Sequence, residues 1–150
     1  MTRKVRFGLL IFPALAMLCL AVSLASWAAM PQGNPVAVFQ EEGFSIELLS
    51  FTQDRGTILA RFKATSQWGG ELELYEPREN AYLFGTDNRQ LDFITSDFNG
   101  RPRFKPGIPR AFFIRFVGSD DPRASYLLTA TFKGQSPMDL AFRDLRPATR

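Results

Sequence analysis

Residues 104–117, FKPGIPRAFFIRFV, decide the fold of this 150-residue chain. A loop rich in proline and glycine leads into a run with apolar side chains at both alternating sets of positions. Because successive side chains of a strand point to opposite faces, such a run is typical of a strand in the middle of a sheet or between two layers. One set comprises Phe112, Ile114 and Phe116, and the other comprises Ala111, Phe113, Arg115 and Val117.

The clearest hairpin predicted from the sequence lies earlier in the chain. Residues 44–52 and 57–65 alternate between apolar and polar side chains, and a turn ending in Arg55 and Gly56 separates them. Glycine adopts positive φ at little cost, which suits a tight hairpin turn. Additional apolar residues after Leu48 predict a bulge in the first strand.

Further short strands are predicted on either side of residues 104–117. Pro77 is expected to begin one helical turn, because proline suits the first position of a helix. The polar tetrapeptide at residues 86–89 predicts a second hairpin turn. The strands occupy residues 36–39, 71–75, 81–85, 90–95, 125–133 and 138–143.

Together these patterns predict an all-β fold. About seven to nine short strands separated by turn residues are typical of an antiparallel β-sandwich of immunoglobulin-like type. A small closed barrel is the alternative. The chain lacks the Cys…Trp…Cys pattern of antibody domains.

The first 29 residues have the composition of a targeting segment. A basic start is followed by an apolar run from Phe7 to about Leu24 and then by small residues, the pattern of a secretory signal peptide. Cleavage is expected after Ala28 or Ala25. The alternative is an uncleaved membrane-anchoring helix over residues 7–29, because about 20 apolar residues span a bilayer.

The predicted domain organisation follows from these segments. Residues 1–28 are the signal peptide or anchor, and residues 29–43 are a linker with a short edge strand. Residues 44–146 form the β-sandwich domain, and residues 147–150 form a polar tail. The protein is therefore expected to be exported, either periplasmic or extracellular, or anchored to the inner membrane by residues 7–29.

The composition excludes several functions. The net charge of +3 arises from Arg3, Lys4 and Arg6, and without them 15 basic residues balance 15 acidic ones. A nucleic-acid-binding domain usually carries a basic surplus, so no nucleic-acid partner is expected. The chain has no histidine, and its one cysteine, Cys19, lies in the N-terminal segment. Catalytic triads and zinc sites need these side chains, so neither enzymatic activity nor a metal or cofactor is expected.

Carboxylates are the remaining catalytic or metal-binding groups. Asp97-x-Asn99-Gly100 shares its first residues with calcium-binding loops, but the further spaced acids and the closing glutamate are absent. The adjacent acidic pairs Glu41-Glu42 and Asp120-Asp121 lie in turns, where acidic residues usually contact solvent. Neither pattern predicts a site.

The order of features resembles a family of secreted bacterial immunoglobulin-like domains of unknown function, found in lipoproteins and surface antigens. Four stretches carry this resemblance, and the chain departs from the family at residues 67–70 (QWGG), where an Asn-Gly-type turn is usual. The resemblance implies a β-sandwich and supplies no catalytic residues. The stretches are FSIELLSFTQDRGTILARFKAT (44–65), AYLFGTDNRQLDF (81–93), FKPGIPRAFFIRF (104–116) and SYLLTATF (125–132).

Charge is distributed unevenly along the chain. Residues 71–97 contain seven acids and two arginines, whereas residues 100–117 contain five basic residues and no acid. The first interpretation is that the basic loop packs on the acidic strands of the same domain, where surface ion pairs add little stability. The second is that the loop contacts an acidic partner, because arginine and aromatic residues are typical of interface hot spots. The candidate contact residues are Phe98, Arg101, Arg103, Phe104, Lys105 and Arg110, with Trp68 in a second loop.

The predicted function is therefore that of a non-enzymatic β-sandwich that binds a partner in the bacterial envelope as an adaptor or accessory domain. The partner would be an envelope protein or an anionic polymer. Contact with the membrane would occur only through an uncleaved N-terminal segment. The alternative is a protein that binds a small ligand or glycan through the loops at one end of the sandwich.

Overall fold

The computed structural model describes residues 33–41, 43–67, 72–97, 103–119, 121, 123–133 and 137–149. The predicted signal or anchor helix therefore lies outside the described residues. The unit that begins at Gly33 is compact. Twelve strands and one helical turn make up the described chain, and three of the strands have only two residues. Their bounds are β1 Ala37–Glu41, β2 Phe44–Asp54, β3 Thr57–Ser66, β4 Leu72–Leu74, α1 Pro77–Asn80, β5 Ala81–Phe84, β6 Gln90–Leu91, β7 Phe93–Ser96, β8 Arg103–Phe104, β9 Arg110–Val117, β10 Tyr126–Lys133, β11 Pro137–Leu145 and β12 Ala148–Thr149.

The strands form two six-stranded sheets. Sheet 1 has the order β1-β2-β3-β9-β7, and β12 pairs with the second half of β2. Sheet 2 is centred on β10, which pairs with β11 on one side and with both β4 and β5 on the other. Beyond these, β8 pairs with β4 and β6 pairs with β5. Every pair is antiparallel except β12 with β2. The predicted all-β sandwich is therefore confirmed, and the strands do not close into one barrel.

The core lies between the sheets and follows the period-two pattern of the sequence. On β9 the residues Phe112, Ile114 and Phe116 are buried, and on β10 every second residue from Tyr126 to Phe132 is buried. Aromatic rings meet across the core, with Phe62 stacked on Phe112 at 4.9 Å between ring centroids. Full burial of each such ring contributes roughly 1.5–3 kcal/mol.

The first hairpin has the predicted turn and bulge. Arg55 and Gly56 have φ values of 46° and 73°, as a two-residue turn between twisted strands requires. The register of β2 against β3 shifts between Leu48 and Ser50, so Leu49 is the extra residue of a bulge. The predicted helical turn at Pro77 is also present.

Two sequence expectations differ from the structure, and a third, the position of β9 inside a sheet, is confirmed although its outer face is not covered. Strand β9 is interior, between β3 and β7, yet only one face is buried: Ala111 and Val117 are exposed and Phe113 is half-buried. No described element covers this outer face of sheet 1. The single strand expected over residues 90–95 is two strands in different sheets, because the chain crosses from β6 to β7 at Asp92. Strand β12 lies in the segment expected to be a polar tail.

Candidate binding surfaces

The predicted contact loop joins the two sheets through Phe104. This residue is 1% exposed, and its ring lies 5.7 Å from that of Phe112 and 6.2 Å from that of Phe132. Strand β8 pairs with β4, which holds Phe104 over the core of sheet 2. Phe104 therefore anchors the loop and does not present its ring to a partner, which corrects its predicted role as a direct contact.

A tight turn follows this anchor. The Ile108 N–H donates to the Lys105 carbonyl at 3.2 Å, and the Gly107 N–H donates to the Ser66 carbonyl at 2.6 Å. Gly107 has φ +71°, which side-chain-bearing residues rarely adopt. The turn leaves the Ile108 side chain 58% exposed. Sequence analysis missed Ile108, although an apolar β-branched residue between Gly107 and Pro109 was a visible signal.

The two arginines of the loop have neighbours within the same domain. Arg103 is the cross-strand partner of Glu73 in the β4–β8 ladder. The Arg110 guanidinium donates from Nη1 to the Arg103 carbonyl at 3.0 Å and lies 5.8 Å from the centre of the Phe104 ring. The pairing of Arg103 with Glu73 fits the first interpretation of the charge pattern, whereas Arg110 bonds to a carbonyl and the exposed Lys105 fits the second.

Asp97 ties the end of β7 to β9. Its Oδ1 accepts the Phe113 backbone N–H at 3.0 Å. Partial burial raises the pKa of this carboxyl, although the Phe113 N–H and the nearby Arg110 charge both lower it. In the described part of the chain, no three His, Cys, Asp or Glu residues group as metal ligands. Asn99 and Gly100 of the calcium-loop pattern lie outside the described residues.

We define the basic loop as Arg103, Lys105, Ile108 and Arg110, all exposed at one end of the sandwich. The flanks of the second predicted contact loop lie against the same segment. Ser66 accepts the Gly107 N–H, and Leu72 pairs with Phe104. The structure thus brings the strand ends around residue 68 next to the basic loop. The remaining predicted contact residues, Trp68, Phe98 and Arg101, lie outside the described residues.

A surface that sequence analysis missed lies on the outer face of sheet 1. A groove of about 440 Å³ runs over strands β2, β3 and β9. Two features of the sequence could have indicated it: Arg61 lies on the outward face of β3, and Arg115 stands among the apolar residues of β9. We call it the arginine groove, and its lining includes Thr52, Asp54, Arg55, Leu59, Arg61 and Arg115.

A second groove of about 510 Å³ lies at the end of the sandwich opposite the basic loop. The turn between β5 and β6 forms one side, and the segment between β9 and β10 forms the other. The Thr86 hydroxyl joins the two sides, because it accepts the Ser125 N–H at 3.0 Å and lies 3.2 Å from the Ser125 carbonyl. Polar lining residues of this end groove include Thr86, Asp87, Arg89, Ser119 and Asp121.

These features define a class: an antiparallel β-sandwich with candidate binding surfaces at both ends and on one sheet face. Within the described residues, no helix has the length and apolar character needed to cross a membrane. No protein-family model matches the sequence, and no curated protein is significantly similar to it.

Proposed function

We propose that the chain is an exported, non-enzymatic β-sandwich of immunoglobulin-like type that binds a partner protein in the bacterial envelope through the basic loop. The observation that carries the proposal is the construction of that loop. Phe104 is locked in the core, whereas the neighbouring Arg103, Lys105 and Ile108 are exposed. A surface that is held rigid before contact loses little conformational entropy on binding.

The strand order supports the immunoglobulin-like assignment. Immunoglobulin domains have strands A-B-E-D in one sheet and C-F-G in the other. Strands β2-β3-β9-β7 have the order of A-B-E-D, and β11-β10 followed by β4 and β5 has the order of G-F-C. Strands β1 and β12 would then be additions at the edge of strand A.

Tyr126 adds a second, local argument. Immunoglobulin-like domains often carry a tyrosine near the start of strand F whose hydroxyl bonds to backbone a few residues upstream. Tyr126 begins β10, is 2% exposed, and its hydroxyl accepts the Ser119 N–H at 3.2 Å. Aromatic packing would replace the inter-sheet disulfide of antibody domains.

The composition of the loop favours an acidic protein surface as the partner. The loop carries two arginines and a lysine together with the exposed Ile108, so it offers both charge and a small apolar contact. Arginine is enriched in interface hot spots, and charged residues at the rim accelerate association. The export of the chain is proposed from the N-terminal sequence, and mass spectrometry of the mature N-terminus would test it.

Photo-crosslinking in cells from position 108 tests the binding function. Position 108 is chosen because its side chain is exposed, whereas position 104 faces the core. We expect one abundant envelope protein to be captured, and we expect Lys105→Glu to abolish the capture. Arg143→Glu is the control, because Arg143 is exposed on β11 where that strand pairs with the start of β10, at the end of the sandwich away from the basic loop. No adduct from a folded, exported protein, or equal loss in both variants, would overturn the proposal.

The end groove supports a second candidate function, the binding of a small polar ligand. Its position between two loops at one end of the sandwich is the arrangement that this alternative requires, and its lining offers hydroxyl, carboxylate and guanidinium groups. A screen of small sugars and organic acids by thermal shift, with Arg89→Ala as the variant, would test it. A ligand whose shift survives Arg89→Ala would exclude this groove as its site.

A further inference from the structure

The described lining of the arginine groove has three arginines and one carboxylate, that of Asp54. Lys63, on the same face of sheet 1, is paired with Glu47 at 2.9 Å. By contrast, within the described ranges Arg55, Arg61 and Arg115 have no ion-pair partner. Arg61 and Arg115 lie close together, because Leu59 is opposite Arg115 and two residues from Arg61. Such diagonal neighbours are roughly 7–8 Å apart, where like charges repel unless an anion lies between them.

The groove is elongated along β3. Thr57, Leu59 and Arg61 alternate on this strand and therefore share its outer face, spanning about 13 Å at roughly 3.3 Å per residue. Arg55 lies at the turn end, and Arg61 and Arg115 lie towards the middle of the sheet. Leu59 is half-buried between them. The groove thus offers cationic groups at both ends and an apolar floor between.

Arg115 is oriented by its neighbour. Its guanidinium lies 5.9 Å from the centre of the Phe113 ring, within the range of a cation–π contact. A guanidinium held against a ring keeps its in-plane N–H donors for a carboxylate, which it can bind through two parallel hydrogen bonds.

From this geometry we infer that the arginine groove is a second binding site, which accepts an extended acidic segment of a partner polypeptide. The three arginines favour an acidic ligand, and Asp54 disfavours acidic ligands that are charged along their whole length. Asp54 lies in the groove beside Arg55 and would repel a polyanion with a charge at every unit. A peptide carries carboxylates only at some positions and can bring a backbone N–H to Asp54.

The site is independent of the basic loop. The groove lies on the outer face of sheet 1, whereas the basic loop lies at the end of the sandwich where β8 meets β4. The variant Lys105→Glu should therefore leave binding in the groove unchanged. A negative result for one site therefore does not contradict the proposal for the other.

Fluorescence anisotropy on the full chain tests the inference. The probe is a fluorescein-labelled eight-residue peptide with glutamate at alternate positions, and the reference is the same peptide with glutamine. We expect Arg61→Glu/Arg115→Glu to weaken binding of the glutamate peptide roughly tenfold or more, because two charge-assisted contacts become repulsive. Lys133→Glu/Arg143→Glu is the matched control, since it makes the same charge change at exposed positions of sheet 2. This control should bind as the wild type does.

Four outcomes would overturn the inference. Equal weakening by the control pair would mean that only net charge matters, and equal binding of the glutamine peptide would exclude carboxylate recognition. Displacement of the peptide by polyphosphate that binds more tightly would identify an anionic polymer as the ligand. Concentration-dependent dimers that disappear in Arg61→Glu/Arg115→Glu would identify a second copy of the chain as the ligand.

If that variant does not fold, Arg61→Lys/Arg115→Lys keeps the charge and should weaken binding severalfold through loss of bidentate contacts.

Discussion

The two faces of β9 differ although the sequence makes both of them largely apolar. The inner face of Phe112, Ile114 and Phe116 is buried against sheet 2, whereas the outer face carries a half-buried Phe113 and a Val117 that is 40% exposed. Arg115 interrupts the outer face and lies against Phe113. The apolar content of a strand thus indicates an interior position in a sheet, but it does not indicate how many layers cover the strand.

This difference assigns separate roles to the two faces. The inner residues stabilise the sandwich, since each removes a large apolar surface from water. The outer residues keep enough exposure to contact a ligand, and they lie beside the arginine groove. Substitutions on the two faces should therefore separate stability from binding.

The largest effect is expected on the inner face. Phe116 is fully buried and lies 6.2 Å from Phe93 in an edge-to-face arrangement. Phe116→Ala should lower the free energy of unfolding by about 3–5 kcal/mol, from the lost burial and the cavity. Urea denaturation measures this loss. Phe113→Ala is the control on the outer face and should cost about 1 kcal/mol or less. Equal losses at the two positions would show that the outer face is covered as well.

Phe104 lies at the start of a loop but is buried like the inner-face residues of β9, and its contribution to stability can be tested in the same way. Phe104→Ala should lower the free energy of unfolding by about 2–4 kcal/mol, since the end of the sandwich can partly collapse onto the space. It should also reduce capture from position 108, because the loop loses its anchor. Stability close to that of the wild type, with capture abolished, would instead identify Phe104 as a direct contact. Urea denaturation and the crosslinking assay on one variant distinguish the two.

Local sequence patterns predicted most of the fold. The hairpin of β2 and β3, its bulge after Leu48 and the helical turn at Pro77 all depend on neighbouring residues, and all three are present. The inward residues of β11 were also predicted, because Met138, Leu140 and Phe142 alternate with polar or small side chains. In each case the residues that form the sequence pattern are the same residues that form the structural element.

The differences arose where the decisive contact is distant in sequence. Residues 90–95 contain neither glycine nor proline, so no strong turn residue marks the change of sheet at Asp92. Phe104 stands among Arg103, Lys105 and Pro106 and therefore has the surroundings of a loop residue, and only its pairing with Leu72 explains its burial. The arginine groove likewise needs Arg61 and Arg115 to be diagonal neighbours on two strands, which no single stretch reveals.

Gly107 lies between the buried Phe104 and strand β9, and its substitution should have an intermediate effect. Nothing lies within 4 Å of an added Cβ, so Gly107→Ala creates no clash, but its φ of +71° is unfavourable for alanine. The expected loss in the free energy of unfolding is about 1–2 kcal/mol. Gly33→Ala is the control, because it also has open space and no positive φ. A comparable loss in both variants, measured by urea denaturation, would exclude backbone strain as the cause.

The smallest effect is expected at Asp97, whose carboxyl accepts the N–H of Phe113 and so supports the edge of the outer face. Burial raises the pKa of this carboxyl above its ordinary value of 3.8. The folded state therefore binds a proton more tightly than the unfolded state does. This contribution to stability is complete below about pH 3.8 and is lost as the pH rises through the folded-state pKa.

Asp97→Asn removes this titration and keeps an oxygen that can accept the Phe113 N–H. As the pH rises from 3 to 7, the stability of the variant relative to the wild type should therefore increase. The increase should be less than about 1 kcal/mol, because solvent screens the exposed part of the group. Urea midpoints of both proteins at the two pH values measure the change, and comparison of the proteins at each pH cancels the other acids. If the wild type gained stability relative to the variant as the pH rose, the Phe113 N–H and Arg110 would outweigh burial. The carboxylate would then stabilise this edge of β9 as an anion.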